Sequence, residues 1–144
     1  IVGVELWVFQ PFMPEALQST EGGIPLWKRF LASFYGGITE ELLMRLFLLS
    51  VVAFVLSRFW DQPLWVLWTA NIVAALIFGL GHLPAVAALT PLTPIVVFRT
   101  VVLNMVGGLM FGGLFIHYGL LAAITAHFTA DIMLHVVLAS WLSQ

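Results

Sequence analysis

Four apolar runs, each close to twenty residues long, follow one another with only short breaks: residues 38–58, 64–82, 95–116 and 120–142. A helix needs about 20 consecutive apolar residues to cross the hydrocarbon core of a bilayer. In lipid its backbone groups must be satisfied within the segment, so runs of this length are read as spanning helices. The breaks carry turn chemistry. Phe59-Trp60-Asp61-Gln62-Pro63 closes the first run, Leu83-Pro84 stops the second, and His117-Tyr118-Gly119 follows the third.

Composition points the same way. Of the 144 residues, 62% are hydrophobic and 8% charged, with a mean hydropathy of +1.09; soluble domains carry about 25% charged residues. The expected fold is all-α, a polytopic transmembrane helix bundle forming a single membrane domain over residues 1–144. Because it opens on Ile1, the chain is read as a fragment of a longer polytopic protein. A net charge of −2 without a basic cluster argues against nucleic acid as a partner. The lack of cysteine excludes disulfides, thiolate chemistry and a Cys-ligated metal.

Ahead of the first span, residues 1–12 read as the end of a helix and 11–23 as a loop. Pro25 then opens a short interfacial helix over 26–35 that carries Trp27, Lys28 and Arg29. Gly36-Gly37 is expected to kink this helix or separate it from the span that follows. Lys28, Arg29 and Arg99 fall on one side of the topology and Arg58 on the other, which places the first group in the cytoplasm.

The charges that enter the apolar runs are concentrated. Gly36-Gly37-Ile38-Thr39-Glu40-Glu41-Leu42-Leu43-Met44-Arg45 sets two acids and a base ahead of the unbroken run 46–56. A charge inside a bilayer costs at least about 2–3 kcal/mol, so it persists mainly where it is paired or used. On a helix Glu41 and Arg45 share a face and can pair. Glu40 is turned about 100° away and has Met44 at i+4, so it is the carboxylate left without a local partner. His82 ends the second run, with Phe78 four residues earlier and Asn71 three turns back on roughly the same face. In the fourth run His127, Asp131 and His135 are spaced by four. A His and an Asp on one face of an apolar span read as a site. His135 is its weaker member, and His117 belongs to an exposed turn.

Glu40, Glu41, Arg45, His82, His127 and Asp131 thus collect on three helices around one polar intramembrane cavity. They include a general base, a metal or oxyanion shell, and a structural ion pair. Neither the H-E-x-x-H helix of soluble metalloproteases nor a G-x-S-x-G elbow is present. A water-activating hydrolase is the reaction class these residues allow.

Three of these motifs resemble the CAAX prenyl protease and bacteriocin-processing (CPBP) family of intramembrane proteases, also called the abortive-infection family. That family carries E-E-x-x-x-R, F-x-x-x-H and H-x-x-x-N or H-x-x-x-D on successive membrane helices. Here they stand as Glu40-Glu41-Leu42-Leu43-Met44-Arg45, Phe78-Gly79-Leu80-Gly81-His82 and His127-Phe128-Thr129-Ala130-Asp131. The Gly-rich third run, with Asn104, Gly107, Gly108, Gly112 and Gly113, is also similar. The likeness spans about residues 36–135 and rests on the order and spacing of the motifs together.

The resemblance implies an integral, multi-pass membrane endopeptidase with its site toward the cytoplasmic side. Its partners would be membrane lipid and a hydrophobic or prenylated CAAX-type peptide. Glu40 and His82 would activate water, His127 and Asp131 would bind the oxyanion or a metal, and Glu41 and Arg45 would brace the first helix. Asp131 can donate to an oxyanion only when protonated; ionised, it would orient His127 or bind a cation. A divalent metal such as zinc wants three protein ligands, and His82, His127 and either Glu40 or Asp131 are the candidates. His127 and His135 are too far apart on a straight helix to share one ion. The metal-free scheme, with Glu40 as base, is preferred. The alternative is a catalytically silent membrane binding or immunity protein in which the polar cluster fixes helix packing. The assumed helix ends leave one tension: Glu40 and His82 sit at cytoplasmic ends, whereas His127 lies about 10 Å from the opposite end of its helix. A tilted or longer fourth helix would bring them level.

Overall fold

The structure is a computed structural model that describes residues 9–14 and 25–138. Residues 1–8 of the helix end expected over 1–12, most of the loop expected over 11–23, and the end of the run 120–142 lie outside the described residues, while Gln10–Phe12 forms a single tight helical turn. Among the described residues every regular element is helical.

The chain winds without a break from residue 26 to residue 56. Helix α1 (Leu26–Phe34) passes into wider i→i+5 turns over Tyr35–Glu40 and Leu42–Leu49, and then into α2 (Ser50–Leu56). Helix α3 (Pro63–Gly81) is followed by the short α4 (Leu83–Ala87), and α5 (Pro94–Tyr118) by α6 (Leu120–Asp131). A final stretch of wide turns, Ile132–Leu138, extends α6. Proline opens α3 and α5, where its missing N–H has no helical partner to lose. Gly119, at φ +84°, makes the tight reversal between α5 and α6.

Among the described residues three stretches are long and apolar enough to cross a membrane: Pro63–Ala87, Pro94–Tyr118 and Leu120–Leu138. The expected fourth, 38–58, is not among them. Its winding alternates between α and π, and three charges interrupt its apolar character at Glu40, Glu41 and Arg45. Gly36-Gly37 does not divide this run either. Both glycines are buried within the wide turns, so Glu40 lies near the middle of the run instead of at a helix head.

The wide turns have a geometric consequence. Ser33, Gly37, Glu41, Arg45 and Leu49 are all buried and recur every four residues. In a pure α-helix, at about 3.6 residues per turn, such a repeat drifts by about 40° at each step. Turns closed by i→i+5 bonds rotate less per residue and offset that drift. One face of the 26–56 run therefore stays turned inward along its length.

That face packs on α3, where Leu49 meets Ala70 and Ala74 in the buried core. Helices α3 and α5 approach through small residues. A Cβ on Gly108 would sit 3.0 Å from Ala75 Cβ, and one on Gly112 would overlap the Asn71 amide. Asn71 is fully buried and donates to the Leu109 carbonyl at 3.1 Å, so it ties α3 to α5 and does not join the site. Outward faces carry Leu46, Phe47, Phe54, Ile72, Leu76 and Met110, all exposed as lipid contact requires.

Candidate active site

The buried face of the 26–56 run meets α6 across Gly36 and Gly37. A Cβ on Gly37 would press on the Phe128 backbone, and one on Gly36 would overlap the Asp131 carboxylate. This close approach brings the two Glu side chains to His127 and removes the tension noted above. Glu40 is mid-run, α6 continues through the wide turns to Leu138, and the two polar levels coincide.

His127 is the centre of the arrangement. Its ring is 6% exposed, stacked on Phe111 at 4.4 Å and 15°, and edge-on to Phe78 at 6.0 Å and 88°. Nδ1 lies 2.8 Å from Glu41 Oε1. On the other side of the ring, Nε2 faces Glu40 Oε2 at 3.9 Å and Asp131 Oδ1 at 3.7 Å. Those two distances exceed hydrogen-bond length and leave a gap that a bridging group can fill.

Glu41 and Arg45 pair as expected from their i, i+4 spacing, with Arg45 Nε 3.1 Å from Glu41 Oε2 and both side chains fully buried. The contact is an ion pair whose angle falls short of a hydrogen bond. The Arg45 guanidinium also lies over the Phe78 ring at 5.5 Å, a cation–π contact that strengthens out of water. Glu41 does more than the sequence suggested, since it bridges Arg45 and His127. Glu40 is the more open carboxylate, with its side chain 24% exposed.

His82 is half-buried at the end of α3. Its Nδ1 is 2.8 Å from the Phe78 carbonyl oxygen, and its ring packs edge-on against Phe78 at 4.6 Å. Asp131 lies within electrostatic reach of His82 and His135 as well as His127. Phe78 therefore touches His82, His127 and Arg45, which explains why an aromatic residue one turn before His82 matters. His135 is exposed, and Arg29 Nη1 donates to its carbonyl at 3.3 Å, which joins α1 to the end of the α6 stretch. His117 is exposed, as expected, but it belongs to the last turn of α5 and not to the connection after it.

Two site residues were not legible beforehand. Phe111 stacks on His127, and the Met110-Phe111-Gly112-Gly113 context offered only a large ring among glycines as a signal. Gly36 forms a bare wall against Asp131 and His127.

The donor chemistry of His82, His127, Glu40 and Asp131 suits a divalent metal. Their spacing does not: among the described residues, no group of three or more His, Asp or Glu is placed to hold one ion.

A protein-family model described as type II CAAX prenyl endopeptidase Rce1-like matches residues 22–133, a span that includes Glu40, Glu41, Arg45, His82, His127 and Asp131. Neither the curated proteins nor the solved structures give a match to the chain.

Proposed function

From the premise that the chain belongs to the type II CAAX prenyl endopeptidase Rce1-like family, we propose that this integral membrane protein hydrolyses a peptide bond in a prenylated, membrane-associated substrate. The observation that carries the reading is the convergence of Glu40, Glu41 and Asp131 on the single buried ring of His127. A purely structural role would be met by the buried Glu41–Arg45 pair and gives no reason for two further carboxylates around the same ring. The more open Glu40 and Asp131, held apart by the gap at Nε2, suit a reaction space.

In this reading the nucleophilic water occupies that gap. Glu40 takes one of its protons while the oxygen attacks the carbonyl carbon. The same proton then passes to the amide nitrogen as the C–N bond breaks, leaving a carboxylic acid and a free amine, and the acid's remaining water proton passes to that amine to give a carboxylate and an ammonium. His82 lines the mouth of the space from α3, and Asp131 borders it from α6. The bias of Lys28, Arg29 and Arg99 to one side supports a cytoplasmic orientation for this end of the bundle, where a protein carrying a C-terminal prenyl group would approach.

The test uses the purified protein in a bilayer, with a prenylated peptide and its unprenylated counterpart, before and after dialysis against a strong chelator. Cleavage of the prenylated peptide that survives chelation is the expected result. Activity lost on chelation and restored by one zinc per chain would replace the scheme with a metal-dependent one. Failure to cleave either peptide would favour the silent binding protein.

Gly36 supplies a sharper check on the site. An added methyl meets Asp131, whose side chain can swing aside, and lies 3.4 Å from His127 Nε2. Gly36→Ala is therefore expected to keep a near wild-type melting temperature and lose about 10²-fold in turnover, the scale of a 1 Å misplacement. Wild-type turnover in this variant would place the reaction elsewhere.

A further inference from the structure

We propose that Phe111 is a positioning residue for the reaction: its ring sets the plane of the His127 imidazole and so holds Nε2 at the gap shared with Glu40 and Asp131. This deepens the hydrolase reading and rests on it for turnover, though not for the plane of the ring.

The sequence around Phe111 leaves its ring room to reach a neighbouring helix. In Gly107-Gly108-Leu109-Met110-Phe111-Gly112-Gly113, glycine stands at i−4 and i−3, the positions over which a long helical side chain leans. A Cβ on Gly107 would lie 3.6 Å from Phe111 Cε2, so the ring rests over a bare turn of its own helix. Gly108 and Gly112 let α5 close on Ala75 and Asn71 of α3. Met110 is 59% exposed and faces outward. Phe111 is only 8% exposed, and its ring carries the contact of α5 on to His127 of α6.

That contact supplies what the polar partners leave open. The torsion that turns an imidazole on its Cβ is broad and soft. Glu41 Oε1, 2.8 Å from Nδ1, holds one edge of the ring at a single point and does not set its tilt. Nε2, on the far edge, moves with any tilt, and its 3.9 Å to Glu40 Oε2 and 3.7 Å to Asp131 Oδ1 change with it. Phe111 lies on the face of the imidazole at 4.4 Å and 15°, while Phe78 meets it edge-on at 6.0 Å and 88°. Aromatic pairs favour both arrangements, but only a ring lying parallel to the face opposes tilting across the whole plane. The two phenylalanines also differ in their obligations. Phe78 is shared with Arg45 and His82, whereas among the described residues the ring partner of Phe111 is His127 alone. Changing Phe111 therefore tests the imidazole plane without disturbing the other contacts of the site.

The experiment compares Phe111→Leu, which keeps a large apolar side chain without a flat face, with Phe111→Tyr, which keeps the face. On the prenylated peptide, Phe111→Leu is expected to lose up to about 10²-fold in kcat, the scale of a 1 Å misplacement, with KM little changed. Phe111→Tyr should recover most of that loss. A role in packing alone would order the two variants by melting temperature and leave kcat indifferent to flatness. The ring is read separately, in protein carrying ¹³C-labelled histidine in lipid bilayers, with the His127 ring signals identified by their loss in His127→Asn. Order parameters of its ring C–H bonds are expected to be high in the wild type and in Phe111→Tyr, and to fall in Phe111→Leu. If Phe111→Leu fails to fold, Phe111→Met, which is long and adaptable, is read in the same way. An equally rigid His127 ring or wild-type kcat in the folded variant would overturn the proposal, as would a Phe111→Tyr protein of wild-type melting temperature that turns over no faster than Phe111→Leu. The order parameters need no turnover. A wild type that cleaves neither peptide, yet whose His127 ring loosens in Phe111→Leu, overturns the hydrolase reading and leaves Phe111 as the residue that sets the plane.

Discussion

Glu40→Gln is expected to lower kcat by about 10²–10⁴-fold, the contribution of a positioned general base, and to leave the protein folded. The two outcomes separate because of where the carboxylate sits. Its side chain is 24% exposed, and among the described residues only His127 comes within ion-pair distance, at 3.9 Å. Glutamine keeps the shape and removes the charge, so little packing or pairing is lost. It cannot take a proton from water. Turnover on the prenylated peptide and the melting temperature in detergent, measured on the same preparation, check both halves. Full activity in this variant would end the assignment of Glu40 as base. A collapse in melting temperature would show that Glu40 braces the fold.

The contacts that could be read from the sequence are those fixed by one helix's own geometry. Glu41 with Arg45, Phe78 with His82 and His127 with Asp131 are each four residues apart, and each pair is in contact. The contacts that could not be read lie between helices. Glu41 and His127 are 86 positions apart, and helical periodicity says which way a side chain points on its own axis, not which neighbour it meets. The same limit hid Phe111, whose partner ring belongs to α6.

Gly36 and Gly37 misled for a related reason. Glycine disfavours a helix by about 1 kcal/mol relative to alanine, which suggested a kink or a separation before Glu40, and the separation is not there. Tertiary packing overrides that cost here, because a Cβ on Gly37 would press on the Phe128 backbone, so at that position only glycine lets the run come this close to α6. The helix count shifted with it. Once residues 26–56 wind as one run, Glu40 is no longer a helix end, and the run is a polar-centred member of the bundle beside three apolar spans. The wide turns themselves left no signal in the sequence beyond the four-residue spacing of Ser33, Gly37, Glu41, Arg45 and Leu49, which a plain α-helix would not keep on one face.

Arg45→Met is expected to destabilise the protein by about 3–5 kcal/mol, the usual consequence of removing one partner from a buried pair. Methionine fills much of the space of the arginine stem, so the effect is mainly one of charge. The guanidinium is fully buried, and among the described residues it is held by Glu41 and the face of Phe78. Without it the Glu41 carboxylate remains at 0% exposure with only the Nδ1–H of His127 to balance it. Removing the other charge as well should relieve the strain. Arg45→Met combined with Glu41→Gln is therefore expected to melt above Arg45→Met alone, giving a coupling that a double-mutant cycle measures in detergent. Its activity should stay low, because a neutral amide at position 41 no longer offers His127 Nδ1 the carboxylate oxygen it meets at 2.8 Å. Equal melting temperatures for the single and double variants would mean that the arginine contributes packing and not charge. Glu41 would then have to be oriented by His127 itself, with the order of dependence along Arg45, Glu41 and His127 reversed.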